Sequence, residues 1–409
     1  MPPQSDRLCP RCGQLIPAGQ TDCPVCTRPQ GFLWSLERET LVLLSLVVLG
    51  IFFAVTGFTV KRYHASQLAL GGRWYQRGES ALLSNRPGEA VNAFRTALVY
   101  ARDNTLYQKR LAEALIKSNR LAEAEVYLRT LWSRQPGDGT VNLELARMSA
   151  NAHNVPDAIR YYHNAIFGLW EGKPEVSRRD VRIELCKFLL AEGEKTDAES
   201  ELIALQIELP PDPRAHTQVG NMFLQVEDYR RALSEFQQAL KLDSKMPGAL
   251  AGAGDASYRL AEFPQARRYF QRAVELNPHN QGATRKLEIS RLVVELDPFQ
   301  RRLSQAERGR RTVAAFQQAL SHLMKCAQSQ GANLDSLQQA GPFASLSARV
   351  KKMQPNVSRK VLRGNPDLIN DVMDLVTQME ETAQQACGTP PAADEALLVI
   401  SHTRGATER

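Results

Sequence analysis

The chain has 409 residues with 51 Lys and Arg against 44 Asp and Glu, too long for one ordinary domain and too evenly charged for a basic nucleic-acid stripe. Its 7 Cys, 22 Pro and 23% charged residues exclude a disulfide-dense miniprotein and a wholly disordered chain. Four cysteines fall within the first 26 residues while Cys186, Cys326 and Cys387 are scattered, so two kinds of cysteine chemistry are expected.

The stretch CPRCGQLIPAGQTDCPVC holds two Cys-Pro-x-Cys turns, Cys9/Cys12 and Cys23/Cys26. Four thiolates converging from two short turns satisfy tetrahedral zinc and leave no open position for water, so the spacing predicts a structural zinc and not a catalytic one. Pro10 and Pro24 stiffen the turns, and Gly13 allows the backbone bend that aims amide N–H groups at sulfur. A pair of disulfides is the competing arrangement, but a unit this small without a core is normally held by metal in a reducing compartment. The segment, taken as residues 1–30, resembles the short zinc ribbons of the CPxCG type at the N-termini of many bacterial membrane proteins. Zinc contributes on the order of 10 kcal/mol in such units, which are expected to be unfolded without it.

Leu41 to Val60 contains no charged residue, and twenty helical positions at about 1.5 Å each span a hydrocarbon core of roughly 30 Å. A single transmembrane helix is therefore predicted over 40–62. Glu37, Arg38 and Glu39 bound it on one side and Lys61 and Arg62 on the other, with Phe32, Trp34 and Tyr63 placed for the interfaces. Because a metal module precedes it, the run reads as a retained anchor and not a cleaved signal. Two signals oppose each other on orientation. Lys61, Arg62, Arg73 and Arg77 outnumber Arg28 and Arg38, which favours a cytoplasmic C-terminal part. Thiolate ligands stay reduced most easily in the cytoplasm, and large domains translocate with little regard to nearby charge. The second argument is given more weight, so the N-terminus is expected inside and the remainder outside the cytoplasm.

Beyond the span, one pattern recurs with a period of about 34 residues. It reads Ala90/Phe94/Ala97, Ala124/Leu128/Leu131, Ala158/Tyr162/Ala165, Ala198/Leu202/Leu205, Ala232/Phe236/Ala239 and Ala266/Phe270/Ala273. Small residues precede each set at Gly78, Ala112, Ala146, Cys186, Gly220 and Gly254, and Pro136, Pro210 and Pro278 mark repeat ends. The register breaks once, within GLWEGKPEVSRR, where a lengthened loop is expected. Cys186 occupies a small-residue position and is read as a packing thiol.

These spacings resemble the tetratricopeptide repeat, over residues 71–280, which implies an all-α solenoid of six stacked helical hairpins. The resemblance also implies a concave face, lined by the first helix of each hairpin, that grips an extended peptide. Its groove positions fall here on Lys109, Arg147, Asn151, Lys187, Arg214, Asn221 and Arg259, mixed with Leu143, Ile183 and Leu224. Such a set could bind carboxylates and peptide backbone by charge-assisted hydrogen bonds, or could be the solvated face of surface helices. The family's dicarboxylate clamp is not reproduced. Residues 281–298 resemble the extra helix that covers the last repeat.

Residues 299–409 are expected to form a further small helical domain, with amphipathic stretches at about 299–330 and 365–386 and a frayed end. Ala396 to Ile400 is a short apolar stretch suited to docking on that domain. Cys326 and Cys387 end the two long stretches and could close a disulfide outside the cytoplasm; the alternative is two unrelated thiols.

The seven histidines, His64, His153, His163, His216, His279, His322 and His402, form no H-E-x-x-H pair, and there is no Walker loop, dinucleotide fingerprint or nucleophile elbow. A non-enzymatic, single-pass membrane scaffold that binds protein or peptide partners is the expectation, with no nucleic acid or small-molecule substrate. A structural subunit of an envelope assembly and a transmembrane zinc or redox sensor are the alternatives.

Overall fold

The computed structural model describes residues 5–27, 38–170, 178–331 and 342–407. Arg28, Phe32, Trp34 and Glu37, and most of the lengthened loop, lie outside the described residues. The chain divides into two compact units, Met1–Leu131 and Trp132–Arg409, each taken by itself below.

In the first unit, β1 (Arg7–Leu8) pairs antiparallel with β2 (Leu15–Ile16) around the cysteine turns. Four helices follow: α1 (Arg38–Leu83), α2 (Pro87–Tyr100), α3 (Thr105–Lys117) and α4 (Leu121–Arg134), whose last turn enters the second unit. The sequence pattern suggests a span ending near 62 and a separate repeat helix from 71. Instead α1 runs unbroken for 46 residues, about 70 Å at about 1.5 Å per residue. Nothing between Lys61 and Gly71 stops it: the stretch has no proline and holds the helix formers Gln67, Leu68, Ala69 and Leu70. Its N-terminal half, Leu41 to Val60, exposes its large apolar side chains, and α1 is long and apolar enough to cross a membrane. Its C-terminal end is the first helix of the first hairpin. There Gly78 lies so close under the Phe94 ring of α2 that a Cβ would sit 2.4 Å from it, and Tyr75 stacks on Tyr107 of α3 at 4.9 Å.

The second unit continues as antiparallel hairpins: α5 (Gly139–Asn151) with α6 (Val155–Phe167), α7 (Arg178–Glu192) with α8 (Lys195–Ile207), α9 (Pro213–Gln225) with α10 (Tyr229–Leu242), and α11 (Pro247–Arg259) with α12 (Phe263–Leu276). All eighteen second-helix anchor positions named above are no more than 2% exposed, so the periodic residues are the core. The spacing works because large meets absent: the Phe236 ring of α10 would stand 2.9 Å from a Cβ on Gly220 and 2.3 Å from one on Gly252. One aromatic thus seats on its own hairpin and on the next.

Where the first helix of each hairpin ends, one residue takes a left-handed conformation: Asn85 (φ 54), Asn119 (φ 59), His153 (φ 54), Gly193 (φ 82), Glu227 (φ 66) and Ala261 (φ 58). The amide of the following residue then closes back onto a carbonyl of the last turn, as in Asp228 N–H to Phe223 O at 3.0 Å and Glu262 N–H to Ser257 O at 2.8 Å, the Schellman stop. Asn and His tolerate this region better than most side chains, but Glu227 and Ala261 hold it at a cost. The break in register is partly visible: Leu169 and Gly137 exchange backbone contact, Leu169 N–H to Gly137 O at 2.7 Å, and Trp170 covers Gly139.

After α13 (Gln281–Leu296) come α14 (Gln305–Ser329), α15 (Pro342–Met353), α16 (Arg359–Gly364), α17 (Asp367–Cys387) and α18 (Ala392–Thr407). The expected boundary at 298 is not a break in packing. Phe263, Ile289 and Val293 share one core with Phe316, Leu323, Val372, Val376 and Met379, because α13 is apolar on the face turned from the repeats as well. Helix α18 runs through Thr407, the last described residue, and Glu408 and Arg409 of the expected frayed end lie outside the described residues. Ala396, Leu397 and Ile400 are buried, Arg285 of α13 binds Glu395 at 2.6 Å, and Arg404 pairs with Asp374 at 2.9 Å and lies over the Phe299 ring.

The strain at Ala261 is testable. Ala261→Gly should raise stability by about 0.5–1 kcal/mol, the αL relief exceeding the added unfolded-state entropy. Ala251→Gly, inside α11, should lower it by about 1 kcal/mol. Thermal or denaturant midpoints of both variants check this; an unchanged or lowered midpoint for Ala261→Gly removes the strain argument.

Candidate functional site

Two regions hold the residues that the sequence marks as candidate ligands. In the first, the β1–β2 hairpin places one Cys turn and the loop after it places the other. Cys9 N–H donates to Gln14 O at 2.8 Å and Gly13 N–H to Cys9 O at 2.9 Å, with Gly13 at φ 73. The second turn closes by Cys26 N–H to Cys23 O at 3.1 Å and Thr27 N–H to the same oxygen at 3.0 Å. Asp6 accepts from Ala18 N–H at 2.8 Å and Arg7 donates to Thr21 O at 3.0 Å, which joins the two ends. Among the described residues of the cysteine segment only Cys9, Ile16 and Cys23 are buried, too small a cluster to hold that segment by hydrophobic burial alone.

The four sulfurs lie within 4.8 Å of one another, and Cys12 Sγ is 3.5 Å from Cys23 Sγ. The backbone N–H of Arg11, then that of Cys12, lowers the Cys9 thiol to about 7. Hydrogen bonding with Cys12 pushes Cys26 up to about 12. Four thiolates this close repel one another unless a cation sits among them. Cys9, Cys12, Cys23 and Cys26 could therefore hold a metal ion, and a sulfur-only donor set is one that a thiophilic divalent ion satisfies.

The second region is the face of the first helices in the 132–409 unit. Lys187, Leu190 and Ala191 of α7 and Gln218, Asn221, Met222 and Gln225 of α9 line a cleft of about 340 Å³. Lys187 and Asn221, one repeat apart, are both exposed there. The cleft pairs one ammonium and three amide side chains with a Leu190/Met222 floor. That mixture suits an extended chain, whose backbone needs both donors and acceptors and whose side chains need apolar contact.

The other expected groove residues are not in that cleft. Arg147 is held by its own neighbours: its Nε and Nη2 donate to Glu184 at 2.9 and 3.0 Å and its Nη1 to Glu144 at 3.0 Å, and Glu184 raises its pKa further. Most of its donors are thereby committed. Asn151 is exposed at the end of α5, Arg214 is exposed in the first turn of α9, and Arg259 lies 5.9 Å over the Tyr229 ring. Lys109 belongs to α3 in the first unit. Leu143 is 2% exposed and belongs to the core. Leu190, Ala191, Gln218, Met222 and Gln225 were not singled out by sequence reasoning. Their signal was available: Leu190 and Ala191 fall three and four residues after Lys187, Gln218 three before and Gln225 four after Asn221, and Met222 four after Gln218.

Cys186 is fully buried, and burial pushes its thiol up to about 12, which makes it unreactive at neutral pH. Cys326 and Cys387 are joined at S–S 2.00 Å with Cα atoms 6.0 Å apart.

No curated protein matches the chain. Among solved structures it is similar to the C-terminal part of a TPR repeat-containing protein from Cytophaga hutchinsonii, at TM-score 0.43 and 15% identity over 57% of this chain and 99% of that one. It is also similar to YrrB, a TPR protein with an unusual peptide-binding site, at TM-score 0.38 and 18% identity over 48% and 97%. A third is PilW, a type IV pilus biogenesis factor, at TM-score 0.37 and 14% identity over 53% and 96%. Two stretches match the tetratricopeptide repeat family, residues 81–143 and 220–281. With their paired helices and buried anchor residues, the hairpins at these positions are tetratricopeptide repeats.

Proposed function

We propose that the protein is a membrane-anchored scaffold that holds a protein or peptide partner along its hairpin helices. The observation that carries this reading is the α7–α9 cleft, where Lys187 and Asn221 stand over an apolar floor. Its anchoring half rests on α1, which is apolar and exposed from Leu41 to Val60 and continues into the first hairpin, so that a membrane span would carry that hairpin on a stiff stalk. Tethering raises the effective concentration of whatever binds near the bilayer.

In the same reading the N-terminal knuckle holds a structural zinc through Cys9, Cys12, Cys23 and Cys26, in the cytoplasm, with the repeats on the other side. The joined Cys326 and Cys387 favour that direction, because such a bond persists where thiols are oxidised. The zinc supplies folding energy to a segment that buries few apolar groups; it has no open coordination position and takes no part in a reaction.

Three measurements check these parts. A partner captured by the full chain in detergent should bind Lys187→Glu about ten-fold or more weakly, the loss expected for one charge-assisted contact. Equal binding by wild type, Lys187→Glu and Asn221→Ala would take the groove out of the mechanism. Metal analysis of the purified chain should show one equivalent of zinc fewer in Cys12→Ser than in the wild type, together with loss of the β1–β2 fold. For topology, a membrane-impermeant maleimide on intact cells should reach Cys326 and Cys387 only after reduction; labelling that requires permeabilised cells would reverse the orientation.

A further inference from the structure

Away from the knuckle and the cleft, three ionisable side chains from three helices meet inside the core of the 132–409 unit. His322 comes from α14, Glu380 from α17 and Asp394 from the first turn of α18. Their side chains are 11%, 0% and 2% exposed. His322 Nδ1 is 2.7 Å from Glu380 Oε2 and 3.6 Å from Asp394 Oδ2, and one ligand atom from each of the three lies within 4.8 Å of the others. Gln318 Nε2 donates to Asp394 Oδ1 at 3.0 Å, which fixes the carboxylate plane. Glu380 Oε1 is buried and has no hydrogen-bond partner among the described residues.

Two buried carboxylates against one imidazole leave this pocket short of positive charge, and an unmet carboxylate oxygen in a closed core is costly. Something positive belongs beside Glu380. We propose that His322, Glu380 and Asp394 bind a divalent first-row metal ion such as zinc, which ties α18 to α14 and α17. One imidazole nitrogen with two carboxylate oxygens suits Zn²⁺ and its neighbours, whereas Mg²⁺ and Ca²⁺ favour oxygen alone. Tetrahedral bonds of about 2.1 Å set ligand atoms about 3.4 Å apart; the 2.7 and 3.6 Å separations from His322 bracket that value. Opening the His322–Glu380 separation by about 0.7 Å and closing the His322–Asp394 one by about 0.2 Å brings both to it. Gln318 takes the role of an outer group that orients a ligating carboxylate. The site differs in every ligand from the cysteine knuckle and does not depend on the scaffold reading.

The competing occupant is a proton shared between the two carboxyl groups, and zinc stoichiometry separates the two. Full-length chain in detergent, with Cys9, Cys12, Cys23 and Cys26 all changed to Ser, is titrated calorimetrically with zinc chloride in chelator-free buffer. One saturable equivalent is expected, and His322→Gln in the same background should abolish it. A parallel titration in the intact-cysteine background, on chain stripped of bound metal and freed of chelator beforehand, guards against a folding defect: two equivalents for the wild type and one for Glu380→Gln. If the four-serine chain takes up no zinc, or if its equivalent survives His322→Gln, the pocket holds a proton and the proposal is wrong.

Discussion

An aromatic or leucine side chain on one helix occupies the space left by a missing side chain on another, and the hairpins depend on that fit. Phe94 over Gly78, Phe236 over Gly220 and Gly252, and Phe270 over Gly254 are its closest instances. Interiors pack at crystal-like density, so neither a larger residue at the glycines nor a smaller one at the phenylalanines is absorbed without loss. Phe236 touches glycines in two successive hairpins, so the same contact that closes one repeat also sets its distance to the next. This is why the period is kept while most surface residues vary from repeat to repeat.

The turns show the same economy in the backbone. Six first helices end on a left-handed residue followed by a returning amide, yet only Gly193 is the residue type that adopts this conformation freely. The packing on both sides of each turn dictates its geometry, and the local sequence complies at some expense at Glu227 and Ala261. Stability gained between helices is large enough to carry a small strain where they join.

The surfaces of the first helices divide into committed and available charge. Arg147 is bound to Glu184 and Glu144, and Lys286 to Asp255 of the neighbouring helix, so these cations stiffen the stack. Lys187 borders the α7–α9 cleft and is exposed. The distinction matters for recognition, because a guanidinium already paired with two carboxylates must lose those bonds before it can serve a ligand.

What the sequence determined by itself is whatever repeats or is local. The cysteine turns are spaced within a few residues, the apolar run is continuous, and each hairpin writes its buried face into a short period, so fold class and anchor residues could be read directly. The joining of Cys326 to Cys387 was legible only as one of two arrangements, because thiols that end two separate helices meet or miss according to how those helices pack. Two other features were decided only by the tertiary structure: the merging of α13 with the C-terminal helices, and the meeting of His322 with Glu380 and Asp394. His322 and Glu380 are 58 positions apart, and Gln318 and Asp394 are 76, with no common period to link them. Such residues come together only when α14, α17 and α18 pack on a shared core. Local patterns record which face of a helix is buried, but not which helix will cover it.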